Sequence, residues 1–202
     1  MRGVSAGYAL AYRLGLTPWE RYGKAAVEHI AVLLDREEAE RPRPPGRALD
    51  LGCGRGQKTH ELAVRGWDAV GVDFIPRAVE AARRTGRSDA TFAVADVTSL
   101  EQAGLGTFDF FLDAGCFQHL DAQQRRNAGE GITALANPGA TLLMLEFRAT
   151  RMRSVVGGVA REEVEASFPA WDMLSVEPAD TGGLGWPLTR TAPQWYRLRL
   201  RP

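Results

Sequence analysis

The chain has 202 residues, 45% hydrophobic and 25% charged, with Lys+Arg 25 against Asp+Glu 25, the proportions of one ordinary globular domain with a sizeable core. Zero formal net charge and the lack of any long run of like charge argue against a nonspecific nucleic-acid binder and favour a small-molecule partner. The longest uncharged stretch, Gly131 to Leu145, contains Asn137, Pro138 and Gly139 and falls short of the about 20 apolar residues that a membrane span needs. In chain order, Tyr12, Arg13, Trp19 and Glu20 arrive before any clean apolar segment or small-residue cleavage site, so no secretory signal is read. Thr17 as N-cap, Pro18 at the first helical position and Glu20 closing a capping box predict a helix start. The helix runs to about Glu38, and Ala26, Val27, Ile30, Val32, Leu33 and Leu34 give it an apolar face to dock on the body.

The proline- and arginine-rich stretch Glu40 to Arg47 separates a helical lid, 1–44, from the core, 45–202, of a single domain. Short apolar runs then alternate with helical patterns. "RALDLG", Gln57 to Val64, "DAVGVD", Pro76 to Arg84 and "ATFAVAD" make a βαβαβ unit, with Pro76 in a first helical turn and Gly66 and Gly86 at helix C-termini. "FDFFLDAG", a helix from about Asp121 to Ala136, "ATLLMLEF", a helix from about Arg161 to Phe168, "WDMLSVEP" and "QWYRLRL" bring the count to seven strands. The first five are expected to be parallel. The last two, joined without a helical pattern, are expected to form an antiparallel hairpin. The predicted fold class is α/β: a three-layer, Rossmann-like seven-stranded sheet, mostly parallel.

The first strand runs into "ALDLGCGRGQ", where Gly52, Gly54 and Gly56 let the backbone approach a ligand closely. A dinucleotide fingerprint wants a small residue where Gln57 stands, and no Gly-Lys-Ser/Thr closes the turn as in a P-loop. Acids mark the strand ends instead. Asp50 precedes the glycines, Asp73 ends the second strand and Asp96 ends the third. A carboxylate in the place of Asp73 accepts two ribose hydroxyls, while Asp96 and the Val97 N–H suit an adenine amine and ring nitrogen. The set suits an adenosine ligand carrying positive rather than negative charge.

With "LDLGCGRG", "VGVDFIPRAVEAAR" and "VADV" in sequence, the chain resembles the class I S-adenosylmethionine-dependent methyltransferases of small-molecule type over roughly Pro45 to Phe147. The resemblance implies S-adenosyl-L-methionine as cofactor. The loop with Gly52, Cys53 and Gly54 would hold its methionine part, Asp73 and Phe74 the ribose side, and Asp96 and Val97 the adenine. Asp50 and Asp113 would line the pocket. Trp19 and Tyr22 resemble the N-terminal segment that closes over the cofactor in tellurite-resistance and heterocycle-methylating enzymes, with plain core packing as the other reading.

The same resemblance places Asp113 to Leu120 beside the transferable methyl group. His119 is the candidate base, although a histidine here also packs under a cofactor or caps a helix; Gln118 is the alternative orienter of the acceptor. Cys53 and Cys116 show no metal-ligand spacing and read as small pocket residues in a reducing compartment. Arg148, Arg151 and Arg153 either hold an anionic acceptor or form a solvated loop. Trp19, Phe117 and Trp186 favour an aromatic or heterocyclic acceptor. The reading is therefore a cytoplasmic methyltransferase acting on O, N or S of a small acceptor, without nucleic acid, membrane or metal; its oligomeric state is not readable. A nicotinamide-dependent oxidoreductase and a noncatalytic cofactor-binding partner are the alternatives.

Overall fold

A computed structural model describes residues 27–86, 89–149, 157–181 and 191–202. The start of the first helix, Trp19, Tyr22, Arg151, Arg153 and Trp186 therefore lie outside the described residues. Helix α1 (Val27–Ala39) leads into β1 (Arg47–Leu51), α2 (Gln57–Val64), β2 (Asp68–Asp73), α3 (Pro76–Arg84) and β3 (Thr91–Val94). There follow β4 (Phe108–Ala114), α4 (Ala122–Ala134), β5 (Ala136–Glu146), α5 (Arg161–Ser167), β6 (Trp171–Pro178) and β7 (Gln194–Leu200). Two short 3-10 segments, Val97–Ala103 and Phe117–His119, sit at the ends of β3 and β4, where the sequence shows no helical period to announce them.

The strands form a 7-stranded sheet in the order β3-β2-β1-β4-β5-β7-β6. Pairings among β1 to β5 are parallel, and β7 lies antiparallel between β5 and β6. The chain builds outward from β1 to β3, then returns to place β4 on the other side of β1. Such a reversal opens a crevice at the carboxyl ends of β1 and β4, the place where open α/β sheets bind ligands.

Apolar side chains cover both faces. Leu49, Val70 and Phe111 meet Ala128 and Ile132 of α4 and Val164 of α5 on one face. Ala48, Phe110 and Leu143 meet Leu33 and Leu34 of α1 and Leu62 of α2 on the other. Val32, counted from sequence with the buried face of α1, is instead 60% exposed. Strand β5 begins earlier than its apolar run, because Ala136 already pairs with Phe108 and the register shifts before Phe110 meets Thr141. That irregularity puts Phe108 and Phe110 in different core clusters, which strict alternation would forbid.

At the amino edge of the sheet, a buried acid fastens α1 to the strands. Glu37, 2% exposed, accepts the Arg41 Nε–H at 2.9 Å and the Arg197 Nε–H at 2.9 Å, and takes the Thr141 hydroxyl proton on the same oxygen as Arg41. Arg41 also donates to the Asp109 carbonyl at 2.9 Å. Removing one member of a buried charge group leaves the others unpaired. Glu37→Ala is expected to cost about 3 kcal/mol of folding free energy, read as a lowered urea midpoint; an unchanged midpoint would show that this clamp does not hold the helix.

Candidate active site

Each of the five parallel strands delivers an acid to the carboxyl edge: Asp50 from β1, Asp73 from β2, Asp96 just beyond β3, Asp113 from β4 and Glu146 from β5. A carboxylate at a strand end faces the first free N–H groups of the following loop, and here that chemistry shapes the loops. Asp73 accepts the Gly54 N–H at 3.0 Å and the Ile75 N–H at 2.8 Å, tying the glycine loop of β1 to the end of β2. Asp50 accepts the Thr59 hydroxyl at 2.6 Å. Asp113 accepts the N–H groups of Cys116 and Phe117 at 2.7 and 3.1 Å. Asp96 accepts both the N–H and the hydroxyl of Thr98, capping the 3-10 segment that begins at Val97.

The glycine loop is built as the sequence implies. Gly52 has φ +67 and is exposed, and a Cβ there would lie 3.1 Å from the Cys116 sulfur, so a side chain would strain the backbone and crowd the β4 end. Beside it, the Cys53 N–H donates to the Val72 carbonyl at 2.8 Å. Phe74, at the end of β2, leaves 41% of its surface exposed. Asp50, Gly52, Cys53, Gly54, Asp73, Phe74, Asp96, Val97 and Asp113 thus all belong to loops or strand ends of one edge, while Trp19 lies outside the described residues.

The electrostatics of this edge are unusual. Asp50, Asp73 and Asp113 are 2%, 6% and 3% exposed, yet none is in an ion pair among the described residues. Burial pushes Asp50 up to about 6; the Thr59 hydroxyl and Lys58 oppose the shift, while Asp113 and Asp73 add to it. Burial likewise lifts Asp113 to about 6 against its hydrogen bonds, and raises Asp73 against the N–H groups of Ile75 and Gly54. The thiols follow. Burial and the neighbouring carboxylates raise both Cys53 and Cys116, which keeps them un-ionised, in accord with their reading as small pocket residues.

Beyond β4, the Phe117–His119 segment carries His119 at half-burial. Gln118 Oε1 accepts the Phe147 N–H at 2.6 Å, which fixes the amide and turns its Nε2 to the His119 Nε2 at 3.3 Å. Burial, then the charge of Arg125, lowers His119 to about 4, so the ring is neutral at pH 7. Phe117, read from sequence as an acceptor-facing aromatic, is instead 1% exposed and packs on Phe168 at 5.7 Å in the core. The 3-10 segment that follows β4 turns its ring inward. Two residues missed from sequence are Glu146 and Arg125, both buried against this segment. The signal for Glu146 was its place as a lone acid closing the apolar run "ATLLML".

Comparison with known proteins agrees with this geometry. Residues 48–139 match the family described as a methyltransferase domain. Over 148 residues, 69% of this chain, it is 32% identical to a 2-heptyl-1-hydroxyquinolin-4(1H)-one methyltransferase of Mycobacteroides abscessus. A ubiquinone biosynthesis O-methyltransferase of Cereibacter sphaeroides is 34% identical over 96 residues, 46% of this chain. The chain spans 65% and 39% of the lengths of these two relatives. In fold it is similar to the N-methyltransferase NodS of Bradyrhizobium japonicum, with a TM-score of 0.70 at 22% identity, covering 88% of this chain and 98% of that one. Residues 48–139 are thus similar in sequence to a methyltransferase domain, and the likeness to NodS extends over the fold of the whole described sheet.

The raised Asp50 has a consequence for stability. Its proton is held up to about 6 in the folded chain against 3.8 ordinarily, so the folded state binds more protons in that window and stability falls as pH rises through it. Asp50→Asn keeps an oxygen for the Thr59 hydroxyl and removes the penalty. It is expected to stabilise the chain by about 2 kcal/mol at about pH 7 and by nothing near pH 3, as thermal melts at the two pH values would show.

Proposed function

We propose that this chain is an S-adenosyl-L-methionine-dependent methyltransferase that transfers a methyl group to an oxygen, nitrogen or sulfur atom of a small aromatic or heterocyclic acceptor. The observation that carries the reading is the buried acid cluster, satisfied by backbone N–H groups and a hydroxyl and lacking a paired cation among the described residues. A ligand bearing positive charge relieves the mutual repulsion of Asp50, Asp73 and Asp113, whereas the diphosphate of a nicotinamide dinucleotide adds to it. The residues present fit the cofactor. Asp73 spends one lone pair of each oxygen on a backbone N–H and keeps the others for the ribose hydroxyls. Phe74 offers an apolar surface beside it, Asp96 and Val97 border the adenine side, and the open Gly52 leaves room for the methionine part. NodS, which shares the fold, has been crystallised with S-adenosyl-L-homocysteine.

When bound, the cofactor supplies an electrophilic methyl carbon on a sulfonium. The chain's share is binding, orientation and exclusion of water, which together account for most of the acceleration in an in-line displacement. His119, neutral at pH 7, is in the state needed to accept a proton from an acceptor that must lose one. Gln118 holds the ring in place by donating from its Nε2 to the His119 Nε2 lone pair, a long contact of 3.3 Å that an acceptor's proton has to displace. The first acceptor to try is the hydroxyquinolone for which the Mycobacteroides abscessus relative is named.

Calorimetric titration with S-adenosyl-L-homocysteine tests the cofactor without an acceptor. One-to-one binding in the micromolar range is expected at neutral pH; S-adenosyl-L-methionine, which carries the sulfonium charge, is expected to lose more affinity than S-adenosyl-L-homocysteine as pH falls through about 6, where Asp50 takes up a proton and the edge loses negative charge. Asp73→Ala is expected to weaken binding by about 2 kcal/mol, since two hydrogen bonds to a charged acceptor are lost. Absence of binding at every pH would overturn the reading. His119→Ala is expected to lower turnover and leave the affinity for S-adenosyl-L-homocysteine within about twofold. With cofactor saturating, the wild-type rate profile should show no histidine break near 6.5, its ordinary value; equal losses of rate and affinity would make His119 a structural residue.

A further inference from the structure

Strands β4 and β5 pair up to Ala114 and Leu145, so the acids Asp113 and Glu146 emerge side by side at the carboxyl edge. Asp113 is 3% and Glu146 0% exposed, and their carboxyls lie close enough for each to shift the protonation of the other. Neither belongs to an ion pair among the described residues. Glu146 Oε2 accepts the Gln118 N–H at 2.9 Å, while its Oε1 is buried and meets no donor. Both oxygens of Asp113 already accept backbone N–H groups. Two adjacent carboxylates so deeply buried resist joint ionisation, because their lone pairs face one another out of water and the nearest cation, Arg125, is already paired with Glu163. One proton between them resolves the conflict, and the oxygen without a donor is the place to put it.

We propose that Glu146 is a positioning residue for the acceptor side: as a neutral acid it donates its proton to the Asp113 carboxylate and accepts the Gln118 N–H, so that one shared proton fastens β5 to the segment carrying His119. The assignment of that segment to the acceptor rests on the methyltransferase reading. The rest of its surroundings fits a fixed rather than a yielding wall. The Gln118 carbonyl accepts the Gly158 N–H at 3.2 Å and an Arg125 Nη2–H at 3.3 Å. Arg125 also donates to the Gly158 carbonyl at 3.0 Å and pairs with Glu163 at 2.9 Å. Gly157, at φ +78, lies so close that a Cβ would stand 3.0 Å from His119 Nδ1. The charged and titratable groups facing Glu146 are Asp113 on β4, Cys116 before the segment, Arg125 on α4 and Tyr196 on β7. Arg125 spends its Nη hydrogen bonds on Glu163, Gln118 and Gly158, and Tyr196 donates to Gln194 at 3.1 Å. The carboxyl of Asp113 is therefore the partner of the Glu146 proton.

Glu146→Gln tests the proton directly, because an amide donates to Asp113 and accepts the Gln118 N–H as a neutral acid does. Between the ordinary glutamate value of 4.5 and its native value, the folded wild type binds one proton more than the unfolded chain, so its stability falls as pH rises. The variant carries no such proton. The melting temperature of Glu146→Gln relative to wild type should therefore climb steadily from about pH 5 to about pH 8; a flat or falling difference means that Glu146 is ionised in the fold and overturns the proposal. The positioning role has its own readout. With three histidines in the chain, the His119 ring can be followed by nuclear magnetic resonance, and its midpoint should stay near 4 in Glu146→Gln but move towards 6.5 in Glu146→Ala. Equal midpoints in both variants would reduce Glu146 to packing, and should Glu146→Ala not fold, a midpoint displaced towards 6.5 in Glu146→Gln does the same. Neither measurement uses cofactor or acceptor. A climbing difference with no S-adenosyl-L-homocysteine binding would keep the shared proton and sink the transferase reading, while binding with a flat difference would do the reverse.

Discussion

The desolvation of carboxylates at the carboxyl edge of the sheet is the constraint on which the site depends. An acid removed from water must find donors, and here Asp73, Asp96, Asp113 and Glu146 find them in backbone N–H groups of the edge loops and Asp50 in the Thr59 hydroxyl, rather than in a cation. Asp73 thereby joins the loops of β1 and β2, and Asp113 curls the chain after β4. Loop shape and electrostatic character follow from one interaction. The N–H groups satisfy hydrogen bonds but leave the charge, so the edge remains a place where a cation is stabilised and an anion is not.

The opposite edge obeys the other rule. There Glu37 and Glu40 meet Arg41, Arg197 and Arg199 in a network that closes with full positive charges. Such pairs hold α1 against β5 and β7, and their work is rigidity. A formal net charge of zero therefore conceals a division within the fold: acids matched with arginine where structure is held, and acids left without it where a ligand is expected. The cost of the second arrangement is visible in the raised carboxyls of Asp50 and Asp113, groups that a fold selected for stability alone would have neutralised.

Much of this was legible in the sequence because it is local. The alternation of apolar runs with helical patterns located every strand, and acids directly before or after glycines announced the loops they shape. What escaped depended on contacts between distant segments. Val32 shares the period of its neighbours, but the path of α1 across the sheet leaves it outside. Phe108 and Phe110 differ in face because of a register shift set by Asn137 to Gly139 in the neighbouring strand. Glu146 reads as the polar end of an apolar strand until its pairing with β4 brings it to Asp113. Phe117 looked like a pocket aromatic because its neighbours are pocket residues, yet the 3-10 segment turns it into the core.

The distribution of charge also divides the labour between binding and rate. An anionic floor attracts a cationic ligand before reaction, and that attraction fades as the positive charge leaves with the transferred group, so it improves affinity without hastening the chemical step. Acceleration then has to come from groups that fix the acceptor relative to the reacting carbon. On the proposed reading those groups lie on the segment from Cys116 to His119, which is held from β4 by Asp113, from β5 by Glu146 and Phe147, and from α4 by Arg125. A segment tied so closely has little freedom to reorganise, and at pH 7 its histidine is neutral. The acids of β1 and β2 are thus suited to choosing the ligand, while the shared proton between β4 and β5 fixes the wall against which an acceptor would be aligned.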